Sequence, residues 1–271
     1  MGDIVRVMVL GDAHGGRGGP PGWMGRVFEW ASHCGARYIL QLGDYGVWPG
    51  KDGREFLELS SRLSTSYGIP IYFVEGNHDD YTYLGARKDN LEPDGSVAIR
   101  DGVRWLPRGT RWTWGGIRFG ALGGAVTVYK HLSDIEPGKN WWPEESISQD
   151  DVDKLGDDQL DILVTHDMPI LSSHIRMAWD IPAWVSADID DTRRMLAQAV
   201  QRTRPSLILH GHLHVRGSGK YRYHVQTEDG SSKPALARIE GFAYNGSTNP
   251  GDAWGILYLP AKQIVNGSDL V

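Results

Sequence analysis

The sequence predicts an α/β fold built on a parallel sheet, and three observations carry that prediction. Short apolar runs rich in β-formers recur at residues 6–10, 38–42 and 69–74; helix-spaced segments lie between them at 23–34 and 55–67; and each run ends in glycine and polar residues. A β-α-β-α-β order feeds right-handed crossovers, which set successive strands parallel in one sheet. Continuous apolar runs suit strands covered on both faces, and polar residues just past their carboxyl ends collect along one edge of the sheet. Chemistry is expected at that edge.

The first run delivers Gly11-Asp12-Ala13-His14, the second Gly43-Asp44, and the third Glu75-Gly76-Asn77-His78-Asp79. From about 89 to 147 the pattern becomes short strand-like pieces, 103–106, 112–114 and 117–122, separated by Gly and Pro, which reads as a hairpin-rich second sheet inserted into the fold. A helix is expected from Ser148, whose side chain suits an N-cap, and a buried strand at 161–165 runs into His166. Residues 188–203 have helical spacing closed by Pro205, and the buried run 207–209 delivers His210-Gly211-His212-Leu213-His214. Segments 221–225, 237–244 and 254–259 read as strands of a closing meander. With no repeat and no Ser/Gly/Pro-rich linker, residues 1–271 are expected to form one domain carrying an insertion at about 89–147.

Composition narrows the function. At 40% hydrophobic and 23% charged residues the chain is too apolar for disorder, and no stretch approaches the roughly 20 apolar residues that cross a bilayer. The Met1-Gly2 start suggests myristoylation, but Arg6 stands where that signal wants Ser or Thr, so a soluble cytoplasmic protein without a membrane partner is expected. A lone Cys34 forbids an internal disulfide or a cysteine-built zinc cage. The net charge of −6 argues against coating long nucleic acid, which requires many cationic contacts, and leaves a small phosphate ester open.

Five strand ends therefore offer metal-ligand chemistry: Asp12 with His14, Asp44, Asn77 with His78 and Asp79, His166, and His212 with His214. Carboxylate, amide oxygen and imidazole without thiolate favour borderline-hard divalent ions such as Mn, Fe or Zn. One intervening residue between Asp12 and His14, and between His212 and His214, lets each pair point the same way from extended backbone. Glycines 11, 43, 76 and 211 permit the tight turns such a cluster needs.

The ordered set D-x-H, G-D, G-N-H-D, a lone His after a strand, and G-H-x-H, running from Asp12 to His214, resembles the calcineurin-like metallophosphoesterases. The resemblance implies a four-layer α/β/β/α sandwich, two mixed β-sheets flanked by helices. It implies Asp12, His14 and His214 on one ion, Asn77, His166 and His212 on the other, and Asp44 bridging them. The cofactors it implies are two divalent metal ions, with Mn leading and Fe, Zn, Ni or Co as alternatives. His78 resembles the histidine that protonates the leaving oxygen or stabilises the developing charge, and Asp79 is expected to orient its imidazole. His33, His131, His174 and His224 match no motif, and His210 is expected to support His212.

A narrower resemblance, Gly123-Gly124-Ala125, then Lys130, then Trp141-Trp142-Pro143-Glu144-Glu145, is to an insertion in bacterial and phage-encoded members of the family. Trp141, Trp142 and Lys130 are the substrate-contact candidates, either stacking on a base or packing, whereas Trp105, Trp112 and Trp114 are expected to pack. Arg100, Arg104, Arg108, Arg111 and Arg118 read as a solvated face, with a phosphate-facing strip as the alternative.

Asp44 is followed by Tyr45-Gly46-Val47-Trp48, so the arginine that clamps a phosphomonoester in the related protein phosphatases is missing from its place. The expectation is a metal-dependent hydrolase of small phosphodiesters, with 2′,3′-cyclic nucleotides leading, acting through a hydroxide held between the ions. Alternatives are a phosphomonoesterase or single-strand nuclease and, last, a non-catalytic interaction module. The oligomeric state stays open.

Overall fold

In the computed structural model, which describes residues 4–17, 19, 22–172, 181–226 and 230–270, the apolar runs become strands of two sheets. Met1, Gly2 and His174 lie outside the described residues. Strands β1 (Val5–Leu10), β2 (Tyr38–Gln41) and β3 (Ile71–Phe73) are parallel neighbours, joined through α1 (Trp23–His33) and α2 (Gly50–Tyr67). Alternation along β1 decides what each face meets. Met8 and Leu10 pack with Val27, Phe28 and Phe56 of the helices, while Val7 and Val9 face the second sheet. Each such fully buried aliphatic contributes about 1.5–3 kcal/mol. Helix α2 starts five residues before the predicted 55–67 segment, because its first turn is solvated and apolar periodicity begins only at Phe56.

The segment at 97–122 is where sequence and structure part. Instead of one separate hairpin sheet, β4 (Val97–Arg100) and β5 (Val103–Trp105) extend the first sheet beside β3, while β6 (Arg111–Trp114) and β7 (Ile117–Leu122) begin the second. Val103 and Trp105 pack into the core under α2, which draws β5 to β3. What stands outside the sheets in this region is the segment 123–142, which returns to a buried Glu145.

A short α3 (Tyr81–Gly85) follows β3, and after the 123–142 segment come α4 (Gln149–Leu155), β8 (Ile162–Thr165), α5 (Ala183–Thr203) and β9 (Leu207–His210). Ser148 caps α4 reciprocally with Asp151, as its residue type predicts. The expected closing meander is divided: β10 (Gly217–Gln226) and β11 (Ser232–Gly241) finish the second sheet, and β12 (Trp254–Leu259) returns antiparallel to β1, followed by β13 (Gln263–Asn266). The orders are β13-β12-β1-β2-β3-β5-β4 and β10-β11-β9-β8-β7-β6. Val9, Leu40 and Val74 of one sheet meet Phe119, Val164 and Leu209 of the other, and α4 and α5 cover the far face through Val152, Leu155, Leu196 and Val200. Two mixed sheets flanked by helices result, and the carboxyl ends of β1, β2, β3, β8 and β9 carry the motif residues.

Candidate metal centre

Loops leaving those five strands bring together the side chains expected as ligands. Asp12, His14 and His214 place their donor atoms within 4.8 Å of one another, and Asp44, His166 and His212 do the same. In the first group Asp12 Oδ2 lies 3.1 Å from His214 Nε2 and 3.8 Å from His14 Nε2. In the second, Asp44 Oδ2 is 3.4 Å from His166 Nε2, which is itself 3.3 Å from Asn77 Oδ1. Asp44 Oδ2 also stands 4.0 Å from His14 Nδ1, so it faces both groups.

Backbone donors aim these side chains. The N–H of His212 donates to Asp12 Oδ1 (3.0 Å) and that of His78 to Asp44 Oδ1 (2.8 Å), leaving each Oδ2 turned to the cluster. His166 Nδ1 donates to the Leu42 carbonyl at 2.7 Å, which directs Nε2 inward and selects its tautomer. Gly76 permits the closeness, since a Cβ there would lie 2.2 Å from Asp44 Oδ1. Backbone strain gathers here too: His14, Asp44, His212 and His214 all have positive φ, four of the seven such non-glycine residues among those described.

The donor set fits a cation. Asp12 Oδ2 is buried with no hydrogen-bond partner, and His14 Nε2 and His214 Nε2 approach to 2.9 Å. Ligands bound at about 2.0–2.2 Å around one ion sit roughly that far apart. Burial would raise the Asp12 and Asp44 carboxyls, but the surrounding imidazoles hold both low, Asp44 well below the usual range. Burial opposes a charged His166, yet Asp44 pushes its pKa up to about 10, whereas burial takes His212 down to about 4 and favours its neutral form. Asp44, His166 and His212 would hold a cation there, with the His166 ring in its deprotonated form as ligation requires.

His78 stands beside the cluster, its Nε2 4.0 Å from Asp44 Oδ2. Its ring partner is Tyr129, whose hydroxyl lies 2.6 Å from Nε2. The expectation that Asp79 orients this imidazole is corrected. The Asp79 carboxylate is turned away and accepts the N–H groups of Tyr45, Gly46, Val47 and Gly76 at 2.9–3.2 Å, fixing the turn after Asp44. Burial and Asp44 raise its pKa to about 7.

Trp142, offered as a base-stacking surface, is 3% exposed, tilts against Tyr81 and donates Nε1–H to Thr82, so it packs. Lys130 pairs with Asp188 at 2.7 Å and lies over the rings of half-buried Trp141 and of Trp184, so its ammonium is engaged by Asp188 and these two rings. The arginines divide as well. Arg118 pairs with Asp161 on the solvated face, whereas Arg108 is buried against Glu75 at 2.9 Å. Sequence reasoning missed Tyr129 and Thr127 on the insertion, gave Glu145 no role beyond its place in the quoted motif, and missed Tyr244, whose ring stacks 4.4 Å from that of His214.

A family model described as calcineurin-like phosphoesterase matches residues 5–216. A search of curated proteins finds no match. Among solved structures, the chain is similar to GAP50, the anchor in the inner membrane complex of Plasmodium, at 13% identity and a TM-score of 0.51, over 97% of this chain and 83% of that one. That likeness is one of fold alone. No helix among the described residues is long and apolar enough to cross a membrane.

Proposed function

The chain belongs to the calcineurin-like phosphoesterases, metal-dependent hydrolases, and on that premise we propose that it cleaves small phosphodiesters, 2′,3′-cyclic nucleotides first, using two divalent ions, Mn foremost. The observation that carries this reading is the pair of donor groups with Asp44 Oδ2 facing both. Asp12, His14 and His214 would hold one ion and Asn77, His166 and His212 the other, with Asp44 shared. Bound there, the ions supply positive charge that neutralises a phosphodiester and lowers the pKa of water toward neutrality.

The chain's own residues do the rest. His78 borders the cluster and would pass a proton to the leaving oxygen, burial lowering its pKa so that the imidazolium gives the proton up readily, and the Tyr129 hydroxyl fixes its ring. Tyr45, in the stretch where a phosphomonoester-clamping arginine would stand, is buried against Phe56 and Phe73, and the turn is sealed by Asp79. Residues 45–48 contain no arginine, which supports a diester over a monoester.

The test is a substrate panel with Mn present, comparing 2′,3′-cyclic, 3′,5′-cyclic and linear dinucleotide esters with a phosphomonoester, before and after chelation. Highest kcat/KM on 2′,3′-cyclic esters, lost on chelation and restored by Mn, is expected. A phosphomonoester preference would overturn the substrate class, and activity indifferent to chelation would overturn the metal reading.

A further inference from the structure

The ends of the 123–145 segment grip the backbone just ahead of Asn77. Gly124, at φ +101°, donates its N–H to the Glu75 carbonyl at 2.7 Å, and a Cβ there would lie 2.2 Å from the Arg108 guanidinium and 2.5 Å from the Glu145 carbonyl. Arg108 pairs with the Glu75 carboxylate and donates to the carbonyls of Glu145 and Ser146, each at 2.9 Å. The gripped end carries a wholly buried carboxylate. Glu145 Oε1 accepts the Thr127 N–H at 2.6 Å, and Oε2 accepts the Thr127 hydroxyl at 2.7 Å.

A hydroxyl has one hydrogen. Once Thr127 gives it to Glu145, Oγ1 remains an acceptor, and the donor 3.1 Å away is Asn77 Nδ2. The Asn77 carboxamide then presents Oδ1 toward His166 Nε2. The opposite rotamer would turn the NH2 group inward, and an amide nitrogen has no lone pair to offer a cation. We propose that Glu145 and Thr127 are positioning residues that lock the Asn77 amide with its oxygen toward the ion held by Asp44, His166 and His212. The proposal rests on the reading of Asn77 as a ligand given under Proposed function, and it assigns the insertion a role in ion binding in place of base recognition.

The experiment strips the full-length protein with a chelator, titrates it with Mn calorimetrically, and records melting of the metal-free forms. Wild type should bind two ions. Thr127→Val keeps the side-chain shape without the hydroxyl and should weaken one ion by about 10–100-fold while sparing the other; Thr127→Ser, which restores the hydroxyl, should recover it. Two ions bound by Thr127→Val at wild-type affinity would overturn the relay, as would equal weakening of both ions accompanied by a lower melting temperature, the mark of a merely structural role. If Thr127→Val does not fold, Glu145→Gln is expected to weaken the same single ion, and unchanged binding by it would be the overturning result. Wild type binding fewer than two ions would bring down the binuclear reading itself, an outcome distinct from failure of the relay.

Discussion

In the first group the imidazoles of His214 and His14 meet solvent, 42% and 16% exposed, above a buried Asp12, whereas in the second Asp44 and His166 are sealed at 1% and 0% and His212 is half-buried. Their supports differ to match. The open half leans on the His212 N–H, which holds Asp12, and on the Tyr244 ring stacked on His214; the sealed half leans on the Leu42 carbonyl as acceptor, the His78 N–H as donor and the Thr127–Glu145 pair. Placing polar groups in a dry interior is costly unless every one is partnered, so the sealed half requires dedicated donors and acceptors behind it. One surface is shared: Asp44 Oδ2 faces both.

The largest effect should come from removing that shared surface. Asp44→Ala is expected to abolish binding of both Mn ions and reduce diesterase activity to background, measured by calorimetry and by initial rates. Loss of one ion alone would mean that the halves are independent sites and that Asp44 does not join them.

His78 belongs to neither half. His78→Ala should leave both ions bound and lower kcat by about 10²–10⁴-fold, the usual worth of general-acid help. An emptied site in that variant would make His78 a structural support of the centre and remove it from the proton-transfer role. Read together, the two variants separate what holds ions from what handles the leaving group.

The division between open and sealed halves also explains what could be read from the chain. Asp12, His14, Asp44, Asn77, His166, His212 and His214 were legible because each sits within a few residues of a buried strand end, and strand ends of a parallel sheet share an edge. The supports were not. Thr127 reaches Asn77 from 50 residues away and Tyr129 reaches His78 from 51, over a segment with no regular periodicity, so nothing local marked them. Asp79 misled for the converse reason: adjacency to His78 suggested a partnership, yet its carboxylate turns to the 45–47 backbone. In the fold, β1 to β3 followed from short continuous apolar runs with helix-spaced segments between them, while the assignment of β4 and β5 to one sheet and β6 and β7 to the other depends on non-local pairing.

The smallest effect expected sharpens the account of the sealed half. Burial raises the Glu145 carboxyl pKa from 4.5 to about 7, with the Thr127 N–H and hydroxyl opposing. Between those values the folded chain holds a proton that the unfolded chain has released, so the stability this group contributes at low pH is lost as pH rises through the window. In metal-free protein, Glu145→Gln removes that dependence. Urea unfolding from pH 4.5 to 7 should therefore show wild type losing stability relative to the variant by up to about 1 kcal/mol per pH unit. Parallel curves would mean that Glu145 stays ionised throughout, held by Thr127 more firmly than burial disfavours it, and the brace on the sealed half would then be a permanent charge.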